Sequence, residues 1–385
     1  IFFEKNGKWK VIYLLKKTWQ EARDIVRRET VMALSWFLAA VSSFYAVPKI
    51  SYIDFHVLSV LFCLMLVVAG FKKLKVLDYL AVYVLSLCSS LRSVARALTG
   101  ITFLSSMFVT NDVALLTFVP LALVIGKRLQ RDMAKIVIFQ TLAANLGSAL
   151  TPMGNPQNLF LYAHYKMNSL AFLSAMAPLA MLSAVWLVFM LNSERDQEMR
   201  VELPLPALRA KNILFLYLAL FVVCLLAVFH FLDFRLAFVV TILGVFVSDR
   251  SLFRRIDYAL LVTFCGFFVF IGNIASLDFV NQLQKEWLNT AAGVYWLGII
   301  TSQFISNVPA AMLLAGFTSQ AEALLLGVDV GGLGTLIASM ASVISYKLYI
   351  ESNPTQGRNY LMLFLYYNVM GLFILAPIIY YFIIR

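Results

Sequence analysis

Charge is what this sequence has least of. Only 13% of its 385 residues are Asp, Glu, Lys or Arg, where a soluble domain carries about 25%. That deficit excludes an ordinary water-soluble domain. Acids are the scarcer sign, 20 against 31 Lys and Arg, and there are three histidines. No HExxH, GxSxG or P-loop pattern occurs, so the common hydrolytic and phosphate-cradling chemistries have no foothold. The four cysteines, Cys63, Cys88, Cys224 and Cys265, lie in apolar segments without paired spacing. They read as small buried hydrophobes, not as a disulfide framework or a thiolate metal site. The chain is not expected to be an enzyme, and no cofactor is expected beyond a bound ion.

Hydrophobic residues fill the space that charge leaves, at 62% of the chain. A membrane-crossing helix needs about 20 apolar residues. Such runs fall at 31–48, 55–71, 168–191, 213–232, 236–249, 258–274 and 360–384. The expected fold is therefore an all-α polytopic membrane protein, with the lipid bilayer as its first partner. Residues 1–30 carry eight Lys and Arg among aromatic and aliphatic positions, which predicts an interfacial amphipathic helix. Residues 76–96, with Asp78, Arg92 and Arg96, read as lying along the inner surface.

The net charge of +11 is spread between apolar segments instead of being gathered in one basic domain, so no nucleic-acid partner is expected. With the N-terminus in the cytoplasm, twenty-six Lys and Arg fall inside. Five fall outside: Lys49, Lys166, Arg235, Lys285 and Arg385. This asymmetry fits the positive-inside rule and an integral protein of a plasma (inner) membrane.

Two pairs of segments interrupt the apolar pattern with polar, helix-breaking residues. Phe108-Val-Thr-Asn-Asp-Val-Ala is matched by Phe304-Ile-Ser-Asn-Val-Pro-Ala. The segment Leu146–Tyr162, with Thr151-Pro152 and Gly154-Asn155-Pro156, aligns without a gap to Leu333–Tyr349. Each member of the first pair predicts a hairpin, over 97–126 and 291–316, and each member of the second a broken helix, over 132–165 and 322–350. Five crossings separate the two hairpins, and an odd number inverts the second copy. The expected organisation is an amphipathic helix at 1–30, a first repeat at 31–191, a cytoplasmic linker at 192–212 and a second repeat at 213–385.

Breaks in hydrocarbon strand backbone groups that ligand, water or partner helices must satisfy. They also leave half-helix N-termini, each worth about half a positive charge, near mid-membrane. That suits an anionic substrate. Oxygens of Thr110, Asn111, Ser148, Thr151, Asn155 and Asn158 suit a hard cation, and a Na+ is expected at Thr110, Asn111, Asp112, Ser148 and Asn155. An intramembrane acid is a functional candidate, so Asp112 stands first: it binds a coupling cation, takes up a proton, or caps its helix. Val308 occupies the matching place in the second copy, and Pro309 fits a first helical turn beginning near Asn307.

Other polar residues read structurally. Lys347 snorkels, and His56, His164 and His230 sit near interfaces. Asn273 and Asp278 mark the outer end of a span. The GxxxG spacing at Gly327–Gly331 encloses Asp329, which argues for an outer loop instead of a packing face.

At these residues the chain resembles the ion transporter superfamily, in its citrate transporter and divalent-anion/sodium symporter branch with arsenite-permease and sodium/proton-antiporter relatives. Symporters of that group carry Ser-Asn-Thr motifs at two re-entrant hairpin tips, each facing the unwound loop of a broken helix. Thr110-Asn111-Asp112 and Ser306-Asn307-Val308 stand in those positions. Gly147–Asn158 is similar to the first loop and Gly334–Ser342 to the second, which adds Gly147, Gly154, Gly334, Thr335, Ser339 and Ser342 to the expected binding residues. The departures are Asp112 and Val308-Pro309 in the motifs and a second loop without a Pro-Asn ending. The resemblance implies a homodimer with inverted-topology repeats, a scaffold domain and a mobile transport domain moving as an elevator. The expected function is secondary transport of a small anion, a di- or tricarboxylate, coupled to Na+ or H+. The alternatives are a cation/proton antiporter or arsenite-type permease using Asp112, and a channel or receptor on the same scaffold.

Overall fold

The computed structural model of the chain describes residues 29–192, 204–206, 211–274 and 288–385. The amphipathic helix expected over 1–30 and most of the linker over 192–212 lie outside the described residues, as do Asp278 and Lys285. The described residues form helices and no strand. In chain order they are α1 (Thr30–Ser42), α2 (Phe55–Lys73), α3 (Val76–Ser86), α4 (Leu91–Val109), α5 (Asn111–Leu129), α6 (Ala134–Ser148), α7 (Pro156–His164) and α8 (Ser169–Asn192). Then follow α9 (Lys211–Val228), α10 (Phe234–Ser248), α11 (Tyr258–Ile274), α12 (Ala291–Ile305), α13 (Asn307–Ala315), α14 (Ala321–Gly331), α15 (Met340–Ser352) and α16 (Gly357–Ile379). By length and composition α2, α8 and the segment Pro354–Ile384 can each cross a membrane alone. Large apolar side chains such as Phe189, Phe215, Val247 and Phe373 are exposed, as expected where the solvent is lipid.

The chain divides into two compact units. One holds Ile1–Asp54 and Asp257–Ser276, and in it α1 packs along α11. Trp36 Nε1 donates to the Val262 carbonyl at 3.0 Å, and Asn273 Nδ2 donates to Ser42 Oγ at 3.0 Å and Ser43 Oγ at 3.1 Å. The Asn273 amide ties the two helices together.

The other unit holds Phe55–Ile256 and Leu277–Arg385. Within it α2, α9 and α10 pack mutually, with Phe62 against Phe238 and Phe71 against Phe221. Cys63 and Cys224 come into contact here despite their separation in sequence, and Cys224 Sγ lies 3.6 Å from Thr241 Oγ1. His56 and His230 also meet, with ring centroids 5.4 Å apart, and Tyr162 stacks on His230.

The first hairpin is longer than expected. Its first arm begins at Leu91, ahead of 97, because Ser90 and Ser93 form a capping box that starts the helix there. Arg92 and Arg96 therefore sit in the first turns of α4, not on a surface-lying segment, and Arg96 donates to Asn192 Oδ1 of α8. A single residue, Thr110, joins α4 to α5, and a single residue, Ser306, joins α12 to α13. The helix over 132–165 breaks between Ser148 and Pro156, and the one over 322–350 between Gly331 and Met340. The packing is reciprocal: α5 lies against α15, and α13 lies against α7.

Candidate functional site

The two turns share a backbone geometry that L-residues rarely adopt. Thr110 has φ 71° and ψ 149°, and Ser306 has φ 75° and ψ 153°. Such strain, of order 1–3 kcal/mol, persists only where the surroundings enforce it, and it clusters at functional sites. At the first turn the enforcing contacts come from the α6–α7 break. Asn111 N donates to the Gly154 carbonyl at 3.0 Å, and Thr151 Oγ1 donates to the Met107 carbonyl. Gly154 is required there, since a Cβ would sit 2.1 Å from the Ser148 carbonyl oxygen. Gly147, in α6, presents the same bare surface to the Phe103 carbonyl of α4.

At the second turn the equivalent clamp is Gln303. Its Nε2 donates to the carbonyls of Gly331 at 2.8 Å and Leu333 at 2.9 Å, while its Oε1 accepts from Thr335 N at 2.9 Å. Thr335 Oγ1 returns a bond to the Gln303 carbonyl at 3.0 Å, as Thr151 does to Met107. Gly334 has φ 103°, and a Cβ on it would lie 2.3 Å from Gln303 Oε1.

Buried amides join the two breaks. Asn145 Oδ1 accepts from Asn111 Nδ2 at 3.3 Å and from Ser339 Oγ at 2.9 Å. Asn155 caps α7 by accepting from Asn158 N at 2.8 Å, and its Nδ2 reaches Ser148 Oγ at 3.3 Å and Asp329 Oδ1 at 3.2 Å. Gln157 Nε2 donates to the same Asp329 oxygen at 3.1 Å. Asn158 Nδ2 donates to the Ala149 carbonyl at 3.0 Å. Asn111, Ser148, Asn155, Asn158, Ser306, Asn307, Ser339 and Ser342 are all buried, whereas Thr110, Asp112, Thr151 and Thr335 are half-buried. Asp112 lies in the first turn of α5, where its carboxylate also complements the helix N-terminus. Ser306 Oγ and Ser342 Oγ make no hydrogen bond among the described residues. Pro309 falls in the first turn of α13, and Lys347 is exposed.

The bonds also set the correspondence between the breaks. Thr151 matches Thr335, Asn155 matches Ser339 as the residue before the second half-helix, and Asn145 matches Asp329 near the end of the first. The gapless alignment starting at Leu146 and Leu333 instead pairs Thr151 with Ala338, and the hydrogen bonds do not support it.

The profile of the citrate transporter family matches residues 12–344. The chain belongs to the citrate transporter family. It is similar to an uncharacterized transporter of Methanocaldococcus jannaschii, 32% identical over 302 residues that cover 77% of this chain and 82% of that protein. It is also similar to the inner membrane protein YbiR of Escherichia coli, 29% identical over 300 residues covering 77% and 80%. Among solved structures it resembles the Alcanivorax borkumensis YdaH transporter in fold, with TM-score 0.55 at 14% identity over 91% of this chain and 96% of that one. This citrate transporter family member is an integral membrane protein and a transporter, not an enzyme.

Four residues of the network escape a reading of its sequence: Asn145, Gln157, Gln303 and Asp329. Asp329 reverses an expectation outright. It lies inside α14 and is 3% exposed, not in an outer loop. The glycines around it form a packing face after all: a Cβ on Gly327 would lie 2.5 Å from the Tyr295 carbonyl oxygen, and one on Gly331 2.8 Å from Ser302 Oγ. An acid held in apolar surroundings between two such glycines was the available signal.

Proposed function

We propose that this protein is a secondary active transporter that moves a small anion, a di- or tricarboxylate, by alternating access coupled to Na+ or H+. One observation carries the reading: four helices start at the breaks, at Asn111, Pro156, Asn307 and Met340, and one buried network links three of these breaks, with Asn145 joining Asn111 to Ser339 and Ser148 joining Asn145 to Asn155. Each helix start contributes about half a positive charge. No Lys or Arg takes part in the network's hydrogen bonds described above, so the anion would be held by helix ends, amides and hydroxyls. Membership of the citrate transporter family supports a carboxylate substrate.

In this reading residues 31–191 and 213–385 are inverted repeats whose hairpins enter from opposite faces, with the N-terminus in the cytoplasm of a cell bounded by a plasma (inner) membrane. The reciprocal packing of α5 on α15 and of α13 on α7 supports it. The protein works as a homodimer, with an elevator displacement of the hairpins and broken helices. Na+ binds at Thr110, Asn111, Asp112, Ser148 and Asn155, or Asp112 carries a proton in its place. A second reading, a cation/proton antiporter or arsenite-type permease centred on Asp112, draws support from the presence of another buried acid, Asp329, in the same network.

Uptake into proteoliposomes separates these readings. Radiolabelled citrate, succinate and malate should accumulate only when an inward Na+ or H+ gradient is imposed. Cation exchange that proceeds without any anion would favour the antiporter, and carboxylate flux indifferent to both gradients would overturn coupled transport.

A further inference from the structure

Helix α4 turns one face to α6, where Gly147 lies against Phe103 and Ser106. Another face borders an open groove shared with α3. Leu80 and Val84 of α3 line this groove with Gly100, Leu104 and Phe108 of α4, and Arg96 stands at one end of it. Its volume is about 470 Å³, within the range of about 300–1,000 Å³ that small-ligand sites occupy, so it is more than a packing defect. Gly100 gives the groove its depth, since a Cβ there would meet nothing within 4 Å. Leu80, Leu104 and Phe108 are exposed, and so is Arg96.

The order of residues along α4 gives the groove a direction. Arg96, Gly100, Leu104 and Phe108 follow one another at four-residue intervals, the spacing that makes side chains neighbours on a helix surface. The twelve residues from Arg96 to Phe108 rise about 18 Å. A cation therefore opens an apolar track, and the rest of the lining carries no charge. Arg92 adds a second positive charge one turn earlier. Arg96 gives one N–H to Asn192 Oδ1 and forms no ion pair among the described residues. A guanidinium has five such donors.

The chemistry of the track selects its occupant. Ordered water needs two to four polar partners, which these walls do not supply. A di- or tricarboxylate would exchange its hydration for hydrocarbon walls and a single cation. A second copy of the chain needs a larger surface: nine residues line the groove, where a stable interface uses about 20–30 a side. An amphiphile with a hydrocarbon chain and an anionic head satisfies both the track and the cation, and basic pockets between membrane helices hold anionic headgroups in this way. We propose that the α3–α4 groove binds an anionic phospholipid of the surrounding bilayer, with an acyl chain along Gly100, Leu104 and Phe108 and the phosphate at Arg96. This site is separate from the buried amide network and does not depend on which substrate or coupling ion the protein uses.

Native mass spectrometry of the purified full-length chain, titrated in detergent with phosphatidylglycerol or with phosphatidylcholine of the same acyl chains, tests the site. Wild type should hold one phosphatidylglycerol more tightly than phosphatidylcholine. Arg96→Gln should weaken phosphatidylglycerol about fivefold and leave phosphatidylcholine unchanged. Asn192→Ala removes the Arg96 hydrogen bond but keeps the charge, and should bind as wild type does. Lys347→Gln, which removes an exposed cation elsewhere, should also bind as wild type does. Gly100→Leu fills the floor of the groove and should lose the bound lipid while staying helical. Should Arg96→Gln fail to fold, Gly100→Leu decides. Equal wild-type affinity for the two lipids would overturn the site, as would wild-type binding in both the Arg96 and Gly100 variants. An equal loss in Arg96→Gln and Lys347→Gln would overturn it too, by showing general surface attraction. A Gly100→Leu protein that keeps its lipid but shifts from dimer to monomer in the same spectra would assign the groove to a second copy instead.

Discussion

Asn155 and Ser339 hold equivalent places, each the residue before the second half of a broken helix, yet they bond to chemically different partners. Asn155 Nδ2 donates to the Asp329 carboxylate at 3.2 Å, and Ser339 Oγ donates to the neutral Asn145 amide at 2.9 Å. The two breaks are tied to each other by a matched pair of bonds, one of them charged. Hydrogen bonds to charged groups contribute about 1.5–3 kcal/mol and neutral ones about 0.5–1.5.

The difference is measurable. Asn155→Ala removes the helix cap, the bond to Ser148 and the bond to Asp329, and should cost about 2–4 kcal/mol. Ser339→Ala removes one neutral bond and should cost about 1 kcal/mol. Thermal melting of the detergent-solubilised protein should rank them in that order. Equal losses would contradict the asymmetry.

Gly334→Ala should destabilise by about 1–3 kcal/mol or more, because it combines a φ of 103° with a Cβ placed 2.3 Å from Gln303 Oε1. Gly100→Ala, in α4 with nothing within 4 Å of the new Cβ, should be neutral or slightly stabilising. Melting temperatures that fall together would count against a specific clamp by Gln303.

The breaks are legible in the sequence because local chemistry marks them. Thr110, Thr151-Pro152 and Gly154-Asn155-Pro156 set polar or helix-disfavouring residues inside apolar runs, and the observed helices stop beside them. The reciprocal partners are not legible. Asp329, Asn145 and Gln303 lie within helices whose local pattern is continuous, and Asp329 meets Asn155 across 174 positions of chain. A lone acid flanked by glycines resembles a loop until the packing of Gly327 on Tyr295 is known. The early start of α4 was hidden for a related reason, since Arg92 and Arg96 mask a helix that Ser90 caps.

Just past the end of α10, Asp249 accepts from Lys73, the last residue of α2, which holds the Asp249 carboxyl below the usual carboxylate range, with the Ser251 hydroxyl and amide adding to the effect. A lowered folded-state pKa gives a contribution that is present above the unfolded value of about 3.9 and lost as pH falls through the folded one. The melting temperature of Asp249→Asn should therefore sit slightly below wild type at pH 7, and the gap should narrow as the pH falls below the unfolded carboxylate value. A gap that widens on acidification would contradict the pairing. The effect is small because the pair is solvent-accessible.

The transport reading depends most on Asp112 and the turn it opens. Asp112→Asn should lower gradient-driven carboxylate uptake in proteoliposomes at least tenfold while leaving the protein monodisperse and helical. Uptake that is unchanged in this variant would move the coupling away from the first hairpin.

Carboxylate uptake by wild-type proteoliposomes, with the Na+ and H+ gradients imposed separately and then collapsed with an ionophore, is the most direct measurement of all. Accumulation of a di- or tricarboxylate above its external concentration, abolished when one of the gradients is collapsed, is the expected result. Carboxylate that only equilibrates, at a rate indifferent to both gradients, would contradict coupled transport by this protein.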